Sequence, residues 1–184
     1  MKGVILAGGL ATRLRPLTLV TNKHLLPVYN KPMIYYPVLA MAKAGITDVL
    51  ITSSADHSED IEKLLKSGDE FGLRLIYAVQ ENPKGGIPEA IMLAQDFAKE
   101  DSILVLLGDN IFNFDLNSAR KKFEEMEKGA YVFGVRMPTE SGQYGVIEID
   151  SVGNVISIEE KPEHPKSDIA QTGIYMYDST VFDR

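Results

Sequence analysis

Four short apolar runs, at residues 4–7, 49–52, 73–79 and 103–107, alternate with helical segments near 32–44, 59–66 and 89–99. Strand runs separated by segments of helix length are how a chain builds β-α-β units, whose crossovers leave the strands parallel and lay helices on the sheet. The alternation predicts an α/β fold around a mostly parallel central sheet. The first helix has Pro32 near its start and Gly45 as its stop, with Ile34, Val38 and Met41 on one face. After residue 107 a further helix is expected over 117–128, with Ala119, Phe123 and Met126 inward and Gly129 ending it. The pattern then turns to strands at 131–136, 146–150, 155–159 and 169–177, with Gly153-Asn154 as a hairpin-type turn. No repeat, low-complexity stretch or linker interrupts residues 1–184, so a single domain is expected.

Charge is distributed unevenly. The 184 residues carry a formal net charge of −7, yet residues 1–50 hold six Lys/Arg against Asp48 alone, a local net of +5. An acidic chain that is basic in one loop is not a general nucleic-acid binder, whose cations would spread over a face; it suits a small, highly charged anion. Cysteine is absent, which excludes disulfides and thiolate metal sites. No apolar run approaches the roughly 18 residues of a membrane span, and the run from Gly3 to Ala7 is too short for a signal peptide, so a cytoplasmic protein with no membrane partner is expected. His24, His57 and His164 are too scattered to suggest a metal site and are expected at the surface.

In an open α/β sheet, ligands bind beyond the carboxyl ends of the strands. The first strand run delivers Gly8-Gly9, where the backbone turns tightly and brings N–H groups near a ligand, and then Arg13, Arg15 and Lys23. The Rossmann fingerprint would need glycine at Leu10, and a Walker A loop would need Gly-Lys-Ser/Thr where Ala11-Thr12-Arg13 stands. The third run delivers Gln80, whose amide can face a nucleobase edge or simply solvent, and Gly85-Gly86, which lets a base approach the backbone. The fourth delivers Gly108-Asp109-Asn110. Asp109 is either a turn or cap residue or, opposite a polyphosphate loop, a ligand of Mg²⁺. Farther on, Gln143-Tyr144-Gly145 precedes a strand and Glu159-Glu160-Lys161-Pro162 follows one. Glu160 beside Lys161 suits the hydroxyls and phosphate of a sugar phosphate, or is a solvated strand end.

GGLATRLRPLT, the following Lys23, and LLPVYNKPMIYYP closely resemble the signature of the sugar-phosphate nucleotidyltransferases, and within them the glucose-1-phosphate thymidylyltransferase branch. The similarity continues through Gln80, LGDNIF at 107–112, YGVIEID at 144–150, EEKP at 159–162 and TGIYMYD at 172–178. The resemblance implies a Rossmann-like three-layer α/β/α fold that binds a nucleoside triphosphate, dTTP, and a sugar 1-phosphate, glucose 1-phosphate, with Mg²⁺ as cofactor, in a possible homo-oligomer. It implies that Leu6, Gly8, Gly9, Thr12, Arg13, Gln80, Gly86 and Asp109 surround the nucleotide. Arg13, Lys23 and Asp109 would be the catalytic set, with Asp109 on the metal. Tyr144, Gly145, Glu160, Lys161 and Thr172 would surround the sugar phosphate.

The chain departs from the family pattern at Ala11, where glycine is usual, at Pro88, where a small residue is usual, and after Asp109, where no second metal-binding aspartate can be matched before Arg184. A C-terminally truncated domain is therefore expected. The absence of a Ser/His/Asp or Cys/His set fits a reaction whose nucleophile belongs to the substrate. UTP, an amino-sugar 1-phosphate, or binding of a nucleotide sugar without catalysis remain alternatives.

Overall fold

The computed structural model describes residues 1–9, 11–82, 85–126, 128–137 and 141–183. Its chain forms two compact units, Met1–Tyr131 together with the residues from Tyr175 on, and Val132–Ile174.

The first unit begins with β1 (Lys2–Ala7), the short pair β2 (Pro27–Val28) and β3 (Lys31–Pro32), and helix α1 (Tyr35–Lys43). It continues with β4 (Asp48–Ser54), α2 (Ser58–Leu65), β5 (Arg74–Gln80), α3 (Gly86–Met92), α4 (Gln95–Ala98), β6 (Ile103–Leu107) and α5 (Leu116–Glu124). The strand order is β5-β4-β1-β6, with β1 parallel to both neighbours, so that Leu6 lies between Thr52 and Leu107. Val4, Ile5 and Ala7 are fully buried, which is why β1 reads as a continuous apolar run rather than an alternating one. Helices cover both of its faces. A side chain at Gly3 would meet Met41 Sδ of α1 at 2.9 Å, whereas Leu6, on the opposite face, shares a recess with Ala90 of α3.

Helix ends differ from expectation more than strands do. Pro32 pairs with Pro27 in β3, and α1 begins three residues later with Pro37 in its first turn, where a missing N–H costs nothing. Ile34, Val38 and Met41 are fully buried as expected, and Gly45, at φ +74°, supplies the left-handed stop. The segment 89–99 is two helices, because the Ala94 N–H closes on Ile91 O at 2.8 Å, a tight turn that ends α3. The helix expected over 117–128 starts at Leu116, where the Asp115 carboxylate caps the Asn117 N–H, and ends at Glu124, four residues before the expected end. Phe123 is buried, but Met126, expected inward, lies beyond the helix and is exposed; Glu127 falls outside the described residues.

The remaining strands are β7 (Ala130–Arg136), β8 (Gly145–Ile149), β9 (Val155–Glu160) and β10 (Ile169–Tyr177), whose last three residues belong to the first unit. In the second unit β8 pairs antiparallel with β9, Gly145 facing Glu160, and with β10 through Ala170 and Val146. Asp150, expected in a strand, belongs to the β8–β9 turn, where its carboxylate accepts the Val152 and Asn154 N–H groups and Gly153 takes φ +93°. Among the described residues no helix is long and apolar enough to cross a membrane.

Candidate functional site

The carboxyl ends of β1, β5 and β6 open onto a recess of about 210 Å³. Leu6 and Leu107 contribute its apolar wall, Gly8 and Gly9 follow β1 into it, and Gln80, Gly86, Lys23 and Asp109 supply its polar groups. Gln80 is only 7% exposed. Its Nε2 donates to Gly86 O at 3.1 Å, and its Oε1 would lie 3.1 Å from a side chain at Gly8. The amide is thus held in one orientation by the glycines that the sequence places around it.

Although 86 positions apart in sequence, Lys23 Nζ sits 2.5 Å from Asp109 Oδ2, with the two side chains 21% and 35% exposed. Burial would raise the Asp109 carboxyl, but the hydrogen bond and charge of the Lys23 ammonium outweigh it and hold the group below the usual carboxylate range. Asp109 is an ionised acceptor at neutral pH.

His24 overturns the expectation of a surface residue, being 1% exposed. Its Nδ1 lies 2.6 Å from Asn22 Oδ1, which also accepts the His24 backbone N–H at 2.9 Å, and Asn22 Nδ2 donates to Ala7 O at 3.5 Å. Asn22 therefore ties the Lys23 segment to the end of β1 and sets the imidazole with its proton on Nδ1. On the other side, a side chain at Gly108 would come within 2.7 Å of His24 Cδ2, so glycine there lets the ring fit beneath the turn carrying Asp109. Burial first, and the Lys23 charge second, lower the His24 pKa to about 3. The ring is neutral.

The rest of the glycine loop is arranged differently. Ala11 adopts the left-handed conformation, φ 45° and ψ 39°, which costs a residue with a side chain about 1 kcal/mol. Thr18 Oγ1 donates to Ala11 O at 2.9 Å, bracing the turn. Thr12 and Arg13 sit in a short 3₁₀ turn, Thr12–Leu14, and both are exposed and outside the recess lining. Of the residues assigned to the nucleotide, six line the recess with Lys23, and Thr12 and Arg13 do not.

In the second unit, Tyr144, Gly145, Glu160 and Lys161 meet at one end of the β8–β9 hairpin. The Lys161 N–H donates to Tyr144 O at 3.1 Å, and Lys161 Nζ lies 3.5 Å from Glu160 Oε1. Thr172 is not aimed with them, since its hydroxyl donates to Phe133 O of β7 at 2.9 Å. The neighbouring Gln171 is: a side chain at Gly145 would fall 2.6 Å from Gln171 Oε1 and 3.3 Å from Glu160 Oε2. Gln171 lies one residue before the TGIYMYD motif and is absent from the residues that the resemblance implies. Strand alternation, applied one residue upstream, was the signal that could have found it.

The nucleotidyl transferase family profile matches residues 2–184. The chain belongs to the nucleotidyl transferase family. It is 42% identical to a glucose-1-phosphate thymidylyltransferase of Mycolicibacterium smegmatis over 185 aligned residues, and 44% identical to one of Neisseria gonorrhoeae over 184. Both alignments cover the whole chain but 63% of the relative, so the chain spans less than two thirds of the length of these curated relatives. A Bacillus anthracis crystal structure assigned by name to glucose-1-phosphate thymidylyltransferase superposes with a TM-score of 0.95 at 45% identity, covering all of this chain and 73% of that one. UDP-glucose pyrophosphorylase complexed with UDP-glucose superposes at 0.82 with 23% identity over 99% of this chain and 77% of its own. At that identity the likeness speaks for the fold, which for this family member is the Rossmann-like nucleotidyltransferase fold with a mostly parallel sheet.

Proposed function

We propose that the protein transfers a nucleotidyl group from dTTP to glucose 1-phosphate, releasing pyrophosphate. The observation that carries this reading is the convergence of Gln80, Lys23 and Asp109 on one recess at the ends of three parallel strands. The family and the names of relatives at 42–44% identity support the choice of substrates.

In the reaction a phosphate oxygen of the sugar 1-phosphate attacks the α-phosphorus. The new P–O bond forms as the bond to the bridging oxygen of the pyrophosphate breaks, and both electrons of that bond leave with pyrophosphate. Such a step is served by alignment and by charge stabilisation, with no enzyme nucleophile. Gln80 and Gly86 face the base, Lys23 and Arg13 meet the phosphates, and Tyr144, Gly145, Glu160, Lys161 and Thr172 are assigned to the sugar phosphate, with Gln171 added to them.

A divalent cation fits the donor set. Asp109 offers an ionised oxygen already facing a cation, the Lys23 ammonium, and Mg²⁺ takes one or two carboxylates and completes its shell with substrate phosphates and water. Asp109 would hold the ion, which when bound neutralises charge on the polyphosphate.

Pyrophosphate release from a panel of dTTP, UTP, ATP and GTP with glucose 1-phosphate and glucosamine 1-phosphate tests the reading. The expected outcome is turnover highest with dTTP and glucose 1-phosphate. Preference for a purine triphosphate, or tight binding of the nucleotide sugar without turnover of any pair, would overturn it.

A further inference from the structure

We propose that the Lys23–Asp109 pair is an exchangeable lock, through which a divalent cation gains Asp109 only when a triphosphate arrives to take Lys23 away. This rests on the functional reading above, which assigns Asp109 to the metal and Lys23 to the phosphates.

The two partners compete for one carboxylate. Lys23 Nζ lies 2.5 Å from Asp109 Oδ2, so the ammonium already takes one of the two carboxylate oxygens and its charge, and a divalent cation arriving there would meet a like charge beside it. Among the described residues that line the recess, Lys23 is the only Lys or Arg. His24, the other basic side chain of this segment, is buried and turned toward Asn22. Among the described residues no group of three His, Asp or Glu side chains could hold a metal without help. A cation arriving alone would have to displace an ammonium from a single carboxylate and gain few protein ligands in return. A triphosphate changes both sides of the exchange: its oxygens give Lys23 a new anionic partner and give the metal further ligands.

The pairing also keeps the recess electrically quiet. An unpaired Asp109 would repel an incoming polyphosphate, and an unpaired Lys23 would attract any anion, inorganic phosphate included. Paired, they present little net charge until a ligand large enough to engage both separates them. Because coupling between two ligands is reciprocal, the metal strengthens triphosphate binding by the same factor as the triphosphate strengthens metal binding.

The test is Mn²⁺ binding, followed by electron paramagnetic resonance, with and without a non-hydrolysable α,β-methylene analogue of dTTP. The wild-type chain should bind Mn²⁺ weakly alone and about tenfold or more tightly with the analogue, a coupling within the usual range. Lys23→Met should bind Mn²⁺ alone several-fold more tightly than wild type and bind the analogue more weakly, while Lys23→Arg should stay close to wild type for the metal alone. Unchanged affinity of Lys23→Met for Mn²⁺ alone overturns the lock. Asp109→Asn separates the lock from the site: if the analogue still enhances Mn²⁺ binding undiminished in that variant, the assignment of Asp109 to the metal is itself wrong. The lysine ammonium signals of the wild-type protein, read by ¹H–¹⁵N NMR, give a measurement free of any substitution. The Lys23 signal should move on adding the analogue and stay in place with Mg²⁺ alone; movement with Mg²⁺ alone contradicts the lock.

Discussion

The candidate site residues of the first unit sit at and beyond the ends of parallel strands, whereas those of the second unit sit on and around the antiparallel strands β8, β9 and β10. Lys23 and Asp109 are 21% and 35% exposed, while Lys161 and Glu160 are 55% and 72% exposed. The difference has an energetic meaning. A partly desolvated pair backed by a buried imidazole is held in place before any ligand arrives, but a solvated pair such as Glu160–Lys161 contributes about 0–1 kcal/mol and is free to rearrange. On the proposed function, the first unit would select its ligand and the second would adapt to one.

The sharpest challenge to that contrast is Asp109→Asn, which should lower kcat/KM by about a thousandfold, by analogy with the loss of a charge-stabilising group and its metal. The loss should appear in nucleotide turnover and not in folding, as circular dichroism would check. A variant within tenfold of wild type would make the recess an ordinary surface pocket. Arg13→Ala should cost about a hundredfold in kcat. Because Arg13 lies outside the recess in the free chain, this loss would mean that the loop moves onto the phosphates; an unchanged kcat/KM removes Arg13 from the catalytic set.

On the second unit the expected effects are smaller and fall on KM. Lys161→Ala and Gln171→Ala should each raise KM for glucose 1-phosphate about tenfold with nucleotide affinity within twofold, and Thr172→Val should change KM less than threefold. A larger effect from Thr172 than from Gln171 would reverse the assignment made from strand alternation.

Acid stability offers the mildest test. The His24 imidazole titrates near pH 3 when folded against about 6.5 when unfolded. Between those values the unfolded chain binds one more proton, so stability falls as pH is lowered, with a limiting slope of about 1.4 kcal/mol per pH unit. Urea unfolding at pH 7, 6 and 5 should show that slope reduced by one proton in His24→Asn. An identical slope in both proteins would place His24 in contact with water.

Sequence carried β1 and β6 well because their stretches 4–7 and 103–106 are buried on both faces and apolar throughout, whereas helix ends depend on turns such as Ala94 onto Ile91 that composition does not mark. The glycine loop and Asp109 were legible as strand-end residues. Their pairing was not, since Lys23 and Asp109 are 86 positions apart and only the parallel order of β1 and β6 brings them together. His24 was misread for a related reason: between Lys23 and Leu25, nothing local distinguishes a solvated histidine from one buried beneath Gly108. Gln171 was not legible because the motif begins at Thr172, whereas the pleat turns Gln171 toward Gly145.

The proposed function places the triphosphate in the recess at the ends of β1, β5 and β6. A crystal of this chain soaked with dTTP and Mg²⁺ tests it most directly. The base should lie against Gln80 and Gly86, the phosphates on Lys23, and a metal on Asp109 with the Lys23–Asp109 contact broken. Nucleotide density lying elsewhere, for example in the cavity of about 410 Å³ beside α1 lined by Tyr36 and Phe112, with Lys23 still on Asp109, would contradict it.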